Sequence, residues 1–149
     1  AGGVPQGRKL QAVLLGGAAG VFVRADELHI PLTFEGARAN KATLGSGVVL
    51  AFDETVDLSG ILLRIASFFR DESCGQCVPC RVGTVRQEEL LLRLRAGRPL
   101  GSREQEMALY AELAQAMRDA SICGLGQTAA SAIEGALARF EIFPEQGQT

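Results

Sequence analysis

The chain has 149 residues, 47% of them hydrophobic and 21% charged, with a formal net charge of −2. That composition suits one compact domain, or one domain and part of another, and leaves no basic footprint for nucleic acid. Its apolar runs are short, so no stretch of about 20 residues crosses a bilayer, and Ala1–Pro5 lacks the basic and apolar regions of a secretory leader.

Residues 1–55 are rich in glycine and β-branched side chains. Short apolar runs at Ala12–Leu15, Val21–Val23 and Val48–Phe52 are separated by Gly16-Gly17, Gly36 and Gly45-Ser46-Gly47, a pattern of strands and turns. So few short strands make a poor independent sheet. Part of this domain is therefore expected upstream of Ala1, and the missing initiator Met fits a processed or truncated piece. Gly16-Gly17-Ala18-Ala19-Gly20 has no following Lys-Ser/Thr, so it reads as a turn between strands rather than a phosphate loop. His29, the single histidine, reads as a structural or surface residue.

From Asp57 the apolar period becomes helical. Leu58, Ile61, Leu62, Ile65 and Phe69 predict a first helix that starts near Asp57 and ends before Ser73. A second is predicted from Pro79-Cys80, where proline suits a first turn, to Gly97, with Val82, Val85, Leu90, Leu91, Leu92 and Leu94 in its interior. Ser102 with Gln105 forms a capping box for a third helix, Glu104 and Glu106 suit its dipole, and Met107, Tyr110, Ala114 and Met117 mark its inward face. A fourth is predicted over 128–140, with Ile133, Leu137 and Phe140 as its stripe. Four helices joined by short loops read as an antiparallel bundle.

The chemistry lies in the cysteines. Cys74, Cys77 and Cys80 are spaced Cys-x-x-Cys-x-x-Cys, Cys123 stands alone, and these are all four cysteines in the chain. Three sulfurs on one tight loop with a remote fourth match the ligand inventory of one [4Fe–4S] cluster. A structural zinc site also takes four thiolates, but usually as two Cys-x-x-Cys pairs. Two disulfides would call for an oxidising compartment and strain such closely spaced neighbours. A reducing cytoplasm fits the cysteine usage best. In an up-down-up-down bundle, the loop after the first helix and the loop after the third lie at the same end, which brings Cys123 to the other three. Gly75, Gly124 and Gly126 would let backbone N–H groups approach the sulfurs, and Arg81 could add positive charge; both favour the reduced cluster.

Glu72-Ser73-Cys74-Gly75-Gln76-Cys77-Val78-Pro79-Cys80-Arg81-Val82-Gly83 and Ser121-Ile122-Cys123-Gly124-Leu125-Gly126 resemble the C-terminal part of NADH-binding flavoprotein subunits. This family includes the 51-kDa-type subunit of respiratory complex I, NAD-linked formate dehydrogenases and NAD-reducing hydrogenases. The likeness covers about residues 10–143, and Leu15-Gly16-Gly17 and Gly45-Ser46-Gly47-Val48-Val49 are similar to the family's β-grasp insert. It implies an α+β fold: a partial β-grasp segment of the soluble-ligand-binding type over 1–55, then a four-helix bundle over 56–149 carrying one [4Fe–4S] cluster.

The resemblance further implies that Cys74, Cys77, Cys80 and Cys123 are the metal ligands, that Gly75 borders the cofactor, and that Gly124 and Leu125 face a flavin. The family's FMN and NAD(H) belong to an upstream domain that this chain lacks, so the fragment alone is not expected to be catalytic. Its implied partners are that domain and other redox subunits, at most peripheral to a membrane, within an NAD(H)-dependent oxidoreductase. Gly124 stands where the family often has Ala. The Arg81–Glu89 stretch leans toward the formate dehydrogenase and hydrogenase branches. Two other classes stay open: a zinc-stabilised binding module without redox activity, and a purely structural docking domain.

Overall fold

In the computed structural model, residues 3–5 and 7–143 are described. They form two compact units, one built from the N-terminal region up to Asp57 together with Ser131–Phe140, the other around Leu58–Ala130.

The first unit holds a three-stranded antiparallel sheet of β1 (Leu10–Leu15), β2 (Val21–Arg24) and β3 (Val49–Asp53), in the order β2-β1-β3. The strands fall close to the three apolar runs. Because β1 is central, its residues Ala12–Leu15 are buried on both faces, which explains an unbroken apolar run where an edge strand would alternate. Val13, Leu15, Val23 and Ile30 form one core cluster, while Phe22 meets Phe52 with ring centroids 5.8 Å apart.

The glycine-rich segments after β1 and before β3 meet. Gly16 N–H donates to Val48 O at 2.8 Å and Ser46 N–H to Gly16 O at 3.2 Å. A Cβ on Gly45 would stand 2.4 Å from Gly16 O, so both positions need glycine. Gly17–Ala19 is a single 3₁₀ turn, in keeping with a turn between strands. A short helix, α1 (Phe34–Ala39), was not anticipated from the sequence; Thr33 caps it by accepting Gly36 N–H.

The second unit contains α2 (Leu58–Asp71), α3 (Val78–Arg95), α4 (Arg103–Ala120) and the short α5 (Gly124–Thr128). Helix α2 buries Leu58, Leu62, Ile65, Ala66 and Phe69, close to the predicted face. Ser102 and Gln105 make the reciprocal capping box at the start of α4. Helix α3 differs from expectation: Val82, Val85 and Leu92 are exposed, and the buried face runs Cys80, Gly83, Thr84, Gln87, Leu90, Leu91, Leu94. Hydropathy misses this stripe because half of it is small or polar. In α4, too, Glu106 rather than Met107 is buried.

The expected fourth helix is divided. Helix α5 stops at Thr128, and α6 (Ser131–Arg139) groups with the sheet, where Gly135 packs on Val21 and Phe22 of β2. Its buried face is Ala132, Ile133, Gly135 and Ala136, whereas Leu137 and Phe140 are only half-buried. Small residues let a helix lie close on a strand, and an apolar-stripe rule gives them no weight. The fold is thus a mixed one, helices with a small sheet, in which the residues of the predicted fourth helix are shared between the two units.

Candidate metal centre

The segment that carries Cys74, Cys77 and Cys80 is the connection from α2 to the first turn of α3. Cys77 is the N-cap of α3 and Cys80 lies in its first turn, with Pro79 beside it at a position where no intrahelical N–H is needed. Gly75 has φ +75°, a left-handed conformation that turns the chain between Cys74 and Cys77. Arg81 Nη1 closes the loop by donating to Gly75 O at 2.9 Å. The Arg70–Glu88 ion pair ties α2 to α3 behind it.

Cys123 opens α5 as its N-cap. Two contacts bring this segment to the first. The Ile122 backbone N–H reaches the Cys77 sulfur; together with the Cys80 N–H, and against the effect of desolvation, it holds the Cys77 thiol below its ordinary value. Gly126 lies against Cys80, where an added Cβ would stand 2.8 Å from Cys80 Cβ. The thiolate is the form that binds metal, so the fold favours the metal-binding state of Cys77.

All four cysteines are free thiols, Cys80 buried, Cys77 half-buried, Cys74 and Cys123 exposed. Among the described residues no three His, Cys, Asp or Glu side chains converge tightly enough to share a single ion. Ser121 Oγ is buried without a hydrogen-bond partner among the described residues, and Gly126 provides a cradle that a side chain would fill. Free thiols, a spare buried donor and a glycine-lined approach fit an iron–sulfur group.

The other predicted residues are placed as follows. Gly75 directs its N–H to Ser73 Oγ at 3.3 Å. Gly124 is exposed with open space around it, and Leu125 is half-buried. His29 is exposed, in keeping with a surface role. Sequence reasoning missed Ser73 and Ser121, although each stands one or two residues before a cysteine. It also missed Gln87, which is fully buried, accepts from Tyr110 Oη at 3.2 Å and donates to Ala129 O at 3.1 Å. That pair of bonds fastens the chain after α5 to α3 and α4, and so keeps the Cys123 segment at the site.

No helix among the described residues is long and apolar enough to cross a membrane. Residues 60–145 match the family model for the NADH-ubiquinone oxidoreductase-F iron-sulfur binding region. The chain is 34% identical over 127 residues to the HndC component of the NADP-reducing hydrogenase of Solidesulfovibrio fructosivorans, covering 85% of this chain and 25% of that protein. It is 34% identical over 140 residues to the F component of the NADH-quinone oxidoreductase of Mycobacterium tuberculosis (strain ATCC 25618 / H37Rv), covering 94% of this chain and 31% of the relative. A crystal structure of NAD+-reducing [NiFe]-hydrogenase in the H2-reduced state superposes with a TM-score of 0.76 at 34% identity, over 88% of this chain and 22% of that one. The chain thus spans between a quarter and a third of the length of these curated relatives.

Proposed function

Because the chain belongs to the NADH-ubiquinone oxidoreductase-F iron-sulfur binding family, we propose that it is an electron-transfer segment of an NAD(H)-linked oxidoreductase and carries one [4Fe–4S] cluster. Cys74, Cys77, Cys80 and Cys123 are its ligands, with Gly75, Gly124 and Leu125 at its border. The observation that carries this reading is the meeting of the two cysteine segments, with the Ile122 N–H on the Cys77 sulfur and Gly126 against Cys80.

When bound, such a cluster gains and loses one electron at a time. The protein's part is to hold the thiolates and to order their surroundings. Ile122 and Cys80 direct N–H dipoles at Cys77, which offsets negative charge on that sulfur. Buried Cys80 anchors the site to the helical core, while exposed Cys74 and Cys123 bring its other side to the surface. Val78, Val82 and Ile122 are exposed there, an apolar rim suited to a neighbouring redox domain and to excluding water from the transfer path. In our reading FMN and NAD(H) are held outside the matched portion, in an upstream domain, and electrons leave toward other subunits in the cytoplasm. Residues 1–55 then serve as a partial β-grasp segment, and the helices within 56–149, a four-helix bundle in the family pattern, as the cluster carrier. The Arg81–Glu89 stretch favours a hydrogenase- or formate dehydrogenase-type complex over complex I.

The test is iron and acid-labile sulfide analysis, with EPR after dithionite reduction, on anaerobically purified protein. About four irons per chain, and a signal lost on Cys123→Ser, are expected. Stoichiometric zinc with no paramagnetic signal would overturn the redox reading.

A further inference from the structure

Two serine hydroxyls, one from each cysteine segment, lie at the cysteine site, and one of them meets a ligand sulfur. Ser73 Oγ lies 3.3 Å from Cys80 Sγ and accepts the Gly75 N–H, also at 3.3 Å. A hydroxyl has one hydrogen and two acceptor sites. With Gly75 on an acceptor site, the hydrogen of Ser73 is available to Cys80. A metal-bound thiolate carries no proton, so the direction of that bond is fixed: Ser73 donates and sulfur accepts.

Ser121 is 6% exposed, and its Oγ has no hydrogen-bond partner among the described residues. A buried hydroxyl left this way is costly unless something accepts from it. It is walled on one side by Gly126, where a Cβ would stand 2.3 Å from Ser121 Oγ and 2.8 Å from Cys80 Cβ, so the hydroxyl lies beside Cys80. The donor is therefore placed beside a ligand and lacks only an electron-rich sulfur to receive it.

We propose that Ser73 and Ser121 are positioning residues that set the cluster's reduction potential, Ser73 by donating to Cys80 Sγ and Ser121 by presenting its unpartnered hydroxyl to the cluster beside Cys80. This rests on the cluster assignment above. One electron added to the cluster places more negative charge on its sulfurs, with no bond made or broken. A donor directed at a sulfur therefore stabilises the reduced form more than the oxidised form and raises the potential. Carried on separate segments, the two hydroxyls act independently, so their effects add.

The experiment is an EPR-monitored redox titration of the anaerobically reconstituted chain, comparing wild type with Ser73→Ala, Ser121→Ala, the double variant and Ser73→Thr. Neither hydroxyl is a ligand, so each alanine variant is expected to load about four irons per chain and to titrate at a lower potential than wild type. The double variant should sit lower than either single one, and Ser73→Thr, which keeps the donor, near wild type. Loaded alanine variants with an unchanged midpoint would overturn the proposal and leave the cluster assignment standing. Alanine variants that fail to load while Ser73→Thr loads would overturn it in favour of a purely structural role. A wild type that binds no iron removes the cluster assignment itself, and the proposal with it.

Discussion

Gly126 and Cys80 pack so closely that a Cβ on the glycine would lie 2.8 Å from Cys80 Cβ and 2.6 Å from Ser121 Cβ. Both opposing atoms sit at the root of their side chains, so neither can swing aside. Gly126→Ala should push the Cys123 segment off α3. The expected cost is about 1–3 kcal/mol, the usual range for overpacking a filled site, read as a lower urea midpoint, with a matching fall in iron retained per chain. An alanine variant with wild-type midpoint and iron content would contradict this geometry.

Gly83 and Met117 set the approach of α3 to α4. A Cβ at Gly83 would stand 2.4 Å from Met117 Cγ and 2.5 Å from its Sδ, and Met117 is buried. Met117→Ala alone leaves a cavity and should cost about 2–5 kcal/mol. Gly83→Ala alone forces the thioether aside. Because the new methyl fills part of the space the methionine vacates, the double variant should be less destabilised than the sum of the two. Denaturation of all four species in a double-mutant cycle checks the sign of the coupling.

Glu106, fully buried at its side chain, is held by Arg93 Nε at 3.0 Å and by the Leu100 N–H at 3.1 Å, while Arg93 keeps 26% of its side chain exposed. The two partners therefore differ in what their loss leaves behind. Arg93→Met strands a buried carboxylate and should cost about 3–5 kcal/mol. Glu106→Gln leaves a guanidinium that can turn to water and an amide oxygen that still accepts from Leu100, so its cost should be smaller. Equal losses in thermal unfolding would show that the carboxylate is not desolvated as this geometry requires.

In the sheet unit, the Thr55 hydroxyl and Arg8 hold the Asp53 carboxyl down at about 2 from an ordinary value of 3.8. Thr55 N–H donates to Asp53 Oδ1 at 2.9 Å and Arg8 Nη1 to Oδ2 at 2.7 Å. A depressed carboxylate stabilises the folded state above its ordinary value, and that contribution is lost as pH falls through the folded one. The stability difference between wild type and Asp53→Asn should therefore be constant near neutrality and shrink steadily below about pH 4. Unfolding midpoints from pH 6 to 2 report it; a difference that grew on acidification would show the sign to be reversed.

The features that could be read without a fold are those whose causes are local. Ser102 and Gln105 cap α4 because the bonds span three residues, and α2 follows its apolar period because Leu58, Leu62, Ile65 and Phe69 all face one way. The cysteine spacing likewise marks a candidate metal-binding loop before any topology is known. The apolar runs locate the strands, yet only the order β2-β1-β3 explains why the run in β1 is unbroken.

Tertiary structure decided what depends on residues far apart in the chain. Half of the inward face of α3 is small or polar, since Gly83 must admit Met117 and Gln87 must reach Tyr110 and Ala129; no hydropathy period announces that. Helix α6 joins the sheet through Gly135, which packs on Val21 and Phe22 and whose value is closeness rather than apolar area. Ser73 and Ser121 look like ordinary loop serines until Cys80 and Gly126 are brought beside them. Spacing along the chain thus names the sulfurs, but the donors and close contacts around them arise only when two segments some forty residues apart are packed together.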